Sequence, residues 1–551
     1  MRRLCFLMML SLWGATATGQ PTKVSVHGNR FFSRQEVSGT VGPAGSGHLS
    51  QGLRRLVDGY RSAGFLDADV RVRWSEDSTH LSICVSEGVR YLAGNPSFTG
   101  NSFISGRFLG EALSLRPGSF FDQRLLARDM ARISRAYADA GFPRAAVRLS
   151  GLSLRTDTVD YGYDVTEGPL LSIAAVSFIG NGLTTAATAD RLAGLKPGER
   201  FSAVRIERAV SRLVGSGLFT SAALAELAGG EDPGRVVAVF TVKEPRYNTL
   251  AGAAGYNQGA GRDGWLAGSV DLELRNISGT GRRLFFHWER LRQSATGLSA
   301  SYADPWLYNS PVGVTLAVDH AIQDSQYTRT GGSILATVPV NDRLSLGAGG
   351  AVERVVPGSQ AEVRRSQTYS TLWSIEGDHR RHRPHQSGLR YRLQTRYGRK
   401  RYFEPAAQLT VGRVELDADW SWSPAAGHAA ALSAHARALA TGERPAPRSD
   451  QYYLGGAATI RGFYEQQFAA SQAGWVNAEH RLTAAAGFQL YPFVDWGYVR
   501  DRDRGLGRTV LGYGAGMRLD TRLGRIQVDY GLGRGDNPAD GKVHLLLRND
   551  F

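Results

Sequence analysis

"RVELDADWSW", Arg413 to Trp422, decides how the C-terminal half of this 551-residue chain is read. Val414, Leu416, Ala418, Trp420 and Trp422 fall on one side of a period-2 strand, and Arg413, Glu415, Asp417, Asp419 and Ser421 on the other. The same alternation sets Leu266, Gly268, Val270, Leu272 and Leu274 against Ser269, Asp271, Glu273 and Arg275. It also sets Leu389, Tyr391, Leu393 and Tyr397 against Arg390, Arg392, Gln394 and Arg396. In a soluble sandwich the apolar side would be a core. Here the opposite side is so densely charged that it suits a hydrated lumen, which leaves the apolar side to lipid. About sixteen such segments lie in residues 247–551, each near the length that crosses a bilayer at a tilt. An even number of antiparallel strands closes without a free edge, the way a sheet satisfies its backbone in hydrocarbon. The expectation is an all-β half: a 16-stranded antiparallel transmembrane β-barrel. Trp420 and Trp422 would sit in its interfacial girdle.

The N-terminal half repeats itself three times. "VSVHGN" (Val24 to Asn29), "PSFTGN" (Pro96 to Asn101) and "VSFIGN" (Val176 to Asn181) are short strands closed by the turn pairs Gly28-Asn29, Gly100-Asn101 and Gly180-Asn181. Each is followed by a helix ending in glycine, in "YRSAGF" (Tyr60 to Phe65), "YADAGF" (Tyr137 to Phe142) and "LVGSGLF" (Leu213 to Phe219). Each unit closes on a strand running into an acid and a breaker: "VSEG" at Val85, "VTEG" at Val165, "VKEP" at Val242. Between those marks Leu125, Met130, Ile133 and Tyr137 recur near the helical period, with Arg124, Arg128, Arg132 and Arg135 between them. The result is an α+β unit of strand, helix, helix, strand, strand, repeated over residues 20–91, 92–170 and 171–246, with the barrel at 247–551. The second and third units carry interhelical turns, "LRPG" at Leu115 and "LKPG" at Leu195. The first has "VGPAGSG" at Val41 instead, which predicts a shorter first helix there.

Residues 1–19 read as a signal peptide: basic Arg2 and Arg3, an apolar Leu4 to Leu12 too short to span a bilayer, and a small-residue cleavage site at Ala15-Thr16-Ala17 or Ala17-Thr18-Gly19. Export is expected, and Cys84 would be the one cysteine left. Mean hydropathy is slightly negative and no long apolar window follows, which argues against a helical membrane protein. The net charge of +15 is spread along the chain without an aromatic-interleaved basic module, so no nucleic acid is expected as partner, and anionic lipid is.

One cluster lies in the long connection between the expected eleventh and twelfth strands: "GGAATIRGFYEQQF", Gly455 to Phe468. Its Ile460-Arg461-Gly462-Phe463 resembles the signature loop of the BamA/TamA-type outer-membrane assembly factor superfamily. "ADPWLYNSP" at Ala303, "FVDWG" at Phe493 and "YGAGMRLDTRLGRIQVDYG" at Tyr513 resemble further marks of that family, and the repeats resemble its POTRA domains. The terminus departs, because "VHLLLRND" has no glycine before Phe551. The layout of three units is closest to TamA; two-partner-secretion transporters resemble the barrel but carry two units and a plug helix. The resemblance implies an outer-membrane location with periplasmic POTRA domains, and a loop-6 latch in which Arg461 meets Asp495. It implies unfolded outer-membrane or secreted proteins as clients, contact with outer-membrane lipids, and a TamB-like inner-membrane-anchored protein or accessory lipoproteins as further partners.

Strand 1, read as Tyr247 to Asn257, is rich in Gly and Ala and should pair weakly with the last strand. The lateral seam is therefore placed at Ala251, Gly252 and Gly255 against Leu545, Leu547 and Phe551, with Leu546 facing Gly252. Even-numbered turns are expected to be short and periplasmic, and odd ones longer and external. No catalytic constellation, cofactor motif or Gly-x-Ser-x-Gly elbow stands out, so no enzyme is expected. The histidines of "HRRHRPHQ" (His379 to Gln386) are interleaved with arginines that would repel a cation, so no metal site is assigned to them. A passive porin would explain the barrel and leave the periplasmic units without a purpose.

Overall fold

The computed structural model describes residues 23–41, 49–76, 80–229, 232–258, 264–292, 295–323, 325–359, 363–379, 387–442, 446–501, 506–521 and 524–550. The expected signal segment, Phe551 and residues 380–386 of the histidine run lie outside them.

The first repeat runs β1 (Lys23–His27), α1 (Arg34–Val41), α2 (Leu49–Ser62), β2 (Asp69–Trp74) and β3 (His80–Ser86). The second runs β4 (Leu92–Thr99), α3 (Gly106–Ala112), α4 (Gln123–Asp139), β5 (Ala146–Leu154) and β6 (Thr158–Thr166). The third runs β7 (Ser172–Ile179), α5 (Ala186–Ala193), α6 (Ala203–Gly215), β8 (Ser221–Gly229) and β9 (Arg235–Lys243). All three build the same mixed sheet, with the last strand central: β1-β3-β2, β4-β6-β5 and β7-β9-β8. In the second, Leu126, Ile133 and Tyr137 of α4 pack on Val159, Tyr161, Tyr163 and Val165 of β6. Leu125 and Met130 are only partly buried, one position off the expected stripe. Asp129, unforeseen there, is fully buried because its carboxylate accepts the N–H groups of Ser114 (2.6 Å) and Leu115 (3.0 Å) at the interhelical turn.

The shorter first helix is not found. α1 has eight residues against seven in α3, because its start is fixed by a reciprocal cap between Ser33 and Glu36 and its Val37 and Val41 are buried.

The barrel opens with β10 (Thr249–Gln258), β11 (Gly264–Ile277), β12 (Arg282–Arg292), β13 (Ala295–Asp304) and β14 (Gly313–Gln323). It continues with β15 (Tyr327–Asn341), β16 (Leu344–Pro357), β17 (Ser366–Asp378), β18 (Gly388–Phe403), β19 (Ala406–Ala425) and β20 (His428–Thr441). Loop 6 follows, carrying its own hairpin of β21 (Tyr452–Leu454) and β22 (Phe468–Ala470). The last wall strands are β23 (Gln472–Ala485), β24 (Phe488–Asp501), β25 (Leu506–Thr521), β26 (Gly524–Gly533) and β27 (Lys542–Asp550). The sixteen wall strands pair as a closed antiparallel barrel from β10 round to β27. Its apolar side chains face out: Val318 is 53% and Trp422 50% exposed, and Trp420 stacks on Trp422 with ring centroids 6.5 Å apart. Among the described residues no helix is long and apolar enough to cross a membrane.

Strand 1 begins at Thr249, two residues later than expected, because Tyr247 has another place. Its hydroxyl donates to the Leu218 carbonyl (2.7 Å) and meets Thr184 Oγ1 (2.9 Å) in the third repeat. Val176–Leu195 and Arg208–Glu226 of that repeat form one compact unit with Ala238–Phe551. Within this unit the turns after even strands touch the repeat: Thr185 N–H donates to Gly279 (3.1 Å), Arg191 covers Trp306, and Arg212 pairs with Asp342 (2.7 Å). Turn length alone does not separate the rims. Only Glu404 and Pro405 join β18 to β19 on the outer side, whereas residues 305–312 join β13 to β14 on the other.

Candidate functional site: the loop-6 latch and the seam

Every repeat turn is built from three recurring residues. Gly28, Gly100 and Gly180 have positive φ, and a Cβ on each would overlap the carbonyl oxygen of Val85, Val165 or Val242 on the central strand. Asn29, Asn101 and Asn181 donate through Nδ2 to Phe32, Ile104 and Thr184 carbonyls, 2.9 to 3.1 Å away. The closing acid then clamps the chain beyond the turn. Glu87 accepts from Arg30 and Phe31 N–H, Glu167 from Phe103 N–H, and Glu244 from Leu183 and Thr184 N–H. Burial opposes the charge on Glu244, but the side-chain and backbone hydrogen bonds of Thr184 and Leu183 outweigh it and hold the carboxyl below its usual range.

Loop 6 folds back against the inner face of β23–β26. Ile460 is fully buried with Leu454, Phe468, Trp475, Val499 and Val510, and Phe463 packs edge-on to Phe468. Arg461 is 5% exposed and Asp495 0%. Asp495 Oδ2 accepts from Arg461 N (2.9 Å) and Nε (2.8 Å), and Oδ1 accepts from Nη2 (2.8 Å). The fork is bidentate, the strong form of a charge-assisted bond. The ring of Phe493, two residues before Asp495 on the same side of β24, lies under the guanidinium, its centroid 3.7 Å from Cζ.

The expected pair has a third member that sequence reading missed. Glu479 on β23 accepts Arg461 Nη1 at 2.7 Å, and its other oxygen meets Arg481 (2.8 Å) and Arg518 (3.4 Å). Two carboxylates and three guanidiniums thus share the site, so no charge there lacks a partner. The wall is cut away to admit the loop backbone. A Cβ on Gly512 would overlap the Arg461 carbonyl, and one on Gly531 would stand 2.7 Å from Gly462 N. Gly462 itself has φ +87.

The seam is short. β10 and β27 pair only from Thr249↔Asp550 to Gly252↔Leu547, whereas β18 and β19 pair from Gly388↔Ser421 to Phe403↔Ala406. Ala251 faces Arg548, and Leu547, not Leu546, faces Gly252. The one-residue difference follows from the stagger that closing the whole barrel imposes. Gly255 pairs with Ala267 of β11, and Leu545 with Val528 of β26; neither takes part in the β10–β27 ladder. Among the described residues no cluster of three metal-ligating side chains occurs.

Two family models match this chain: the haemolysin secretion/activation protein ShlB/FhaC/HecB over residues 362–519, and POTRA, the surface antigen variable number repeat, over residues 93–168. The outer membrane protein assembly factor BamA of Neisseria meningitidis serogroup B is 23% identical over 320 residues, 54% of this chain. In sequence this chain is similar to the BamA-type proteins. BamA of Buchnera aphidicola is 22% identical over 242 residues, 43% of this chain. The chain spans 39% of the length of each of these relatives. Haemophilus ducreyi BamA lacking POTRA domains 1–3 superposes with a TM-score of 0.52 at 16% identity, over 84% of this chain and 100% of that one. CdiB from Escherichia coli gives 0.50 at 15%, over 91% and 98%. At those identities the likeness is one of fold. The closed 16-stranded barrel and the likeness to BamA place the protein in the outer membrane, with its POTRA domains on the periplasmic side.

Proposed function

We propose that this chain is an outer-membrane protein assembly or translocation factor. It receives unfolded outer-membrane or secreted clients on its periplasmic POTRA domains and inserts or exports them through a laterally opening barrel. The observation that carries this reading is the seam, whose ladder stops at Gly252↔Leu547 while every neighbouring ladder runs on. Unpaired backbone at that edge is a template for a client strand. The POTRA sheets have edges of the same kind. β5 is an edge strand with Leu149, Leu152 and Leu154 exposed, which suits addition of an apolar extended peptide. Loop 6, latched by Arg461, keeps the lumen filled while the seam works. Outer-membrane lipids contact the apolar belt, and a TamB-like inner-membrane-anchored protein or accessory lipoproteins would bind the periplasmic side.

A two-partner-secretion transporter is the second reading, supported by the ShlB/FhaC/HecB match within the barrel. One experiment separates them. In a Cys84→Ser background, Gly252→Cys with Leu547→Cys should form a disulfide across the seam, abolish client assembly when oxidised and restore it when reduced. Full activity with the seam locked would instead support passage through the lumen.

A further inference from the structure

Loop 6 is also held where the Arg461 latch does not reach. Asp450 stands on the limb leading into β21, with Oδ2 2.6 Å from Lys400 Nζ on β18 and both side chains 1% exposed. Arg413 on β19 approaches Asp450 Oδ1 at 3.5 Å and Glu353 on β16 at 3.5 Å. The neighbouring backbone is fixed too, since Arg329 Nη1 on β15 donates to the carbonyl of buried Ser449 at 3.3 Å. The polarity is the reverse of the tip. At Arg461 the loop gives a cation to an acidic wall; at Asp450 it gives an anion to a basic one.

The two places lie on different strands of the wall: Asp450 is held from β18 and β19, and Arg461 from β23 and β24. Lys400 lies just below the outer end of β18 at Phe403, and Asp495 deeper, below the outer end of β24 at Asp501. At about 3.3 Å per residue they sit roughly 10 Å and 20 Å down their strands. An aspartate folded into so enclosed a site without a cation would be strongly disfavoured, and Lys400 is the nearest one, with Arg413 farther off.

We propose that Asp450 and Lys400 form a second, independent anchor, which makes loop 6 a strap fixed to two sectors of the wall. Freeing the tip then leaves the upper limb across the lumen, and the loop withdraws only when both anchors release. This rests on the proposed reading of loop 6 as the element that keeps the lumen filled while the seam works.

The test is the rate at which a membrane-impermeant maleimide labels Ser449→Cys in a Cys84→Ser background. Labelling should be slow in the parent and in Arg461→Ala, and roughly tenfold or more faster with Lys400→Met or Asp450→Asn, as expected when a buried ion loses its partner. The Lys400→Met/Asp450→Asn double variant should label no faster than the faster single one. Hydrogen exchange over residues 449–454 needs no change at the anchor, and protection there should survive Arg461→Ala. Slow labelling in Lys400→Met, multiplying effects in the double variant, or loss of that protection in Arg461→Ala would overturn the proposal. Unchanged client assembly in an Arg461→Ala/Lys400→Met protein with rapid labelling would instead overturn that lumen-filling role and leave the anchor standing.

Discussion

Strands β6 and β24 put one alternation to opposite uses. In β6, Val159, Tyr161, Tyr163 and Val165 face inward against α4, while Asp160 and Asp164 face outward. In β24, Val494 and Trp496 face outward, while Phe493 and Asp495 are buried. A period of two fixes which residues share a side; the surroundings of the charged side decide which solvent the other side meets. The POTRA domains hide oil from water, and the barrel hides charge from oil, so only in the barrel does a buried ion pair become the natural fastening.

The largest effect that would break this contrast is a solvent test. A fragment of residues 20–246 should fold in water with mixed α/β circular dichroism. Residues 247–551 should need detergent and show heat-modifiable migration on gels. A stable detergent-free barrel fragment would invert the comparison. Next comes the latch. Arg461→Ala and Asp495→Ala each strand a buried charge, a loss of about 3–5 kcal/mol in the folded-back state of loop 6, read as lost hydrogen-exchange protection over residues 459–463. The double variant should lose little more, and additive losses would mean the two residues act separately.

On the water-soluble side, Gly100→Ala forces a Cβ into the Val165 carbonyl at φ +73. It should cost the second POTRA domain about 1–3 kcal/mol in denaturant melts and leave barrel migration unchanged. The smallest effect is one of pH. The folded-state pKa of Glu244 is lowered, so its contribution is complete above the ordinary value of 4.5 and fades as pH falls through the lower, folded-state value. Glu244→Gln should flatten that acid limb in a pH series of thermal melts, and an unaltered profile would remove this carboxylate from the account.

The barrel was legible because alternation is written along each strand, and the POTRA domains because turn chemistry is local. Gly28, Gly100 and Gly180 announce a backbone position that tolerates no Cβ. The recurring Glu87, Glu167 and Glu244 were visible as letters, yet their clamp on the preceding turn needs the fold to bring it close. Arg461 and Asp495 were legible only through the family resemblance. Glu479, Asp450 and Lys400 carried no signal, since each is one charge among many and Lys400 finds its partner 50 residues away. The first and last wall strands pair one residue out of the expected register, because register there belongs to the closed circle and not to any segment of it.

The glycines at 512, 531 and 533 give the wall beside loop 6 almost no inward relief. The loop supplies the side chains that those strands lack, so its tip lines them. Were it to withdraw, the hollow opened would not be a central bore. It runs along β25 and β26, and β26 is the immediate neighbour of β27, so the protein would hydrate first beside the strand that forms one lip of its seam.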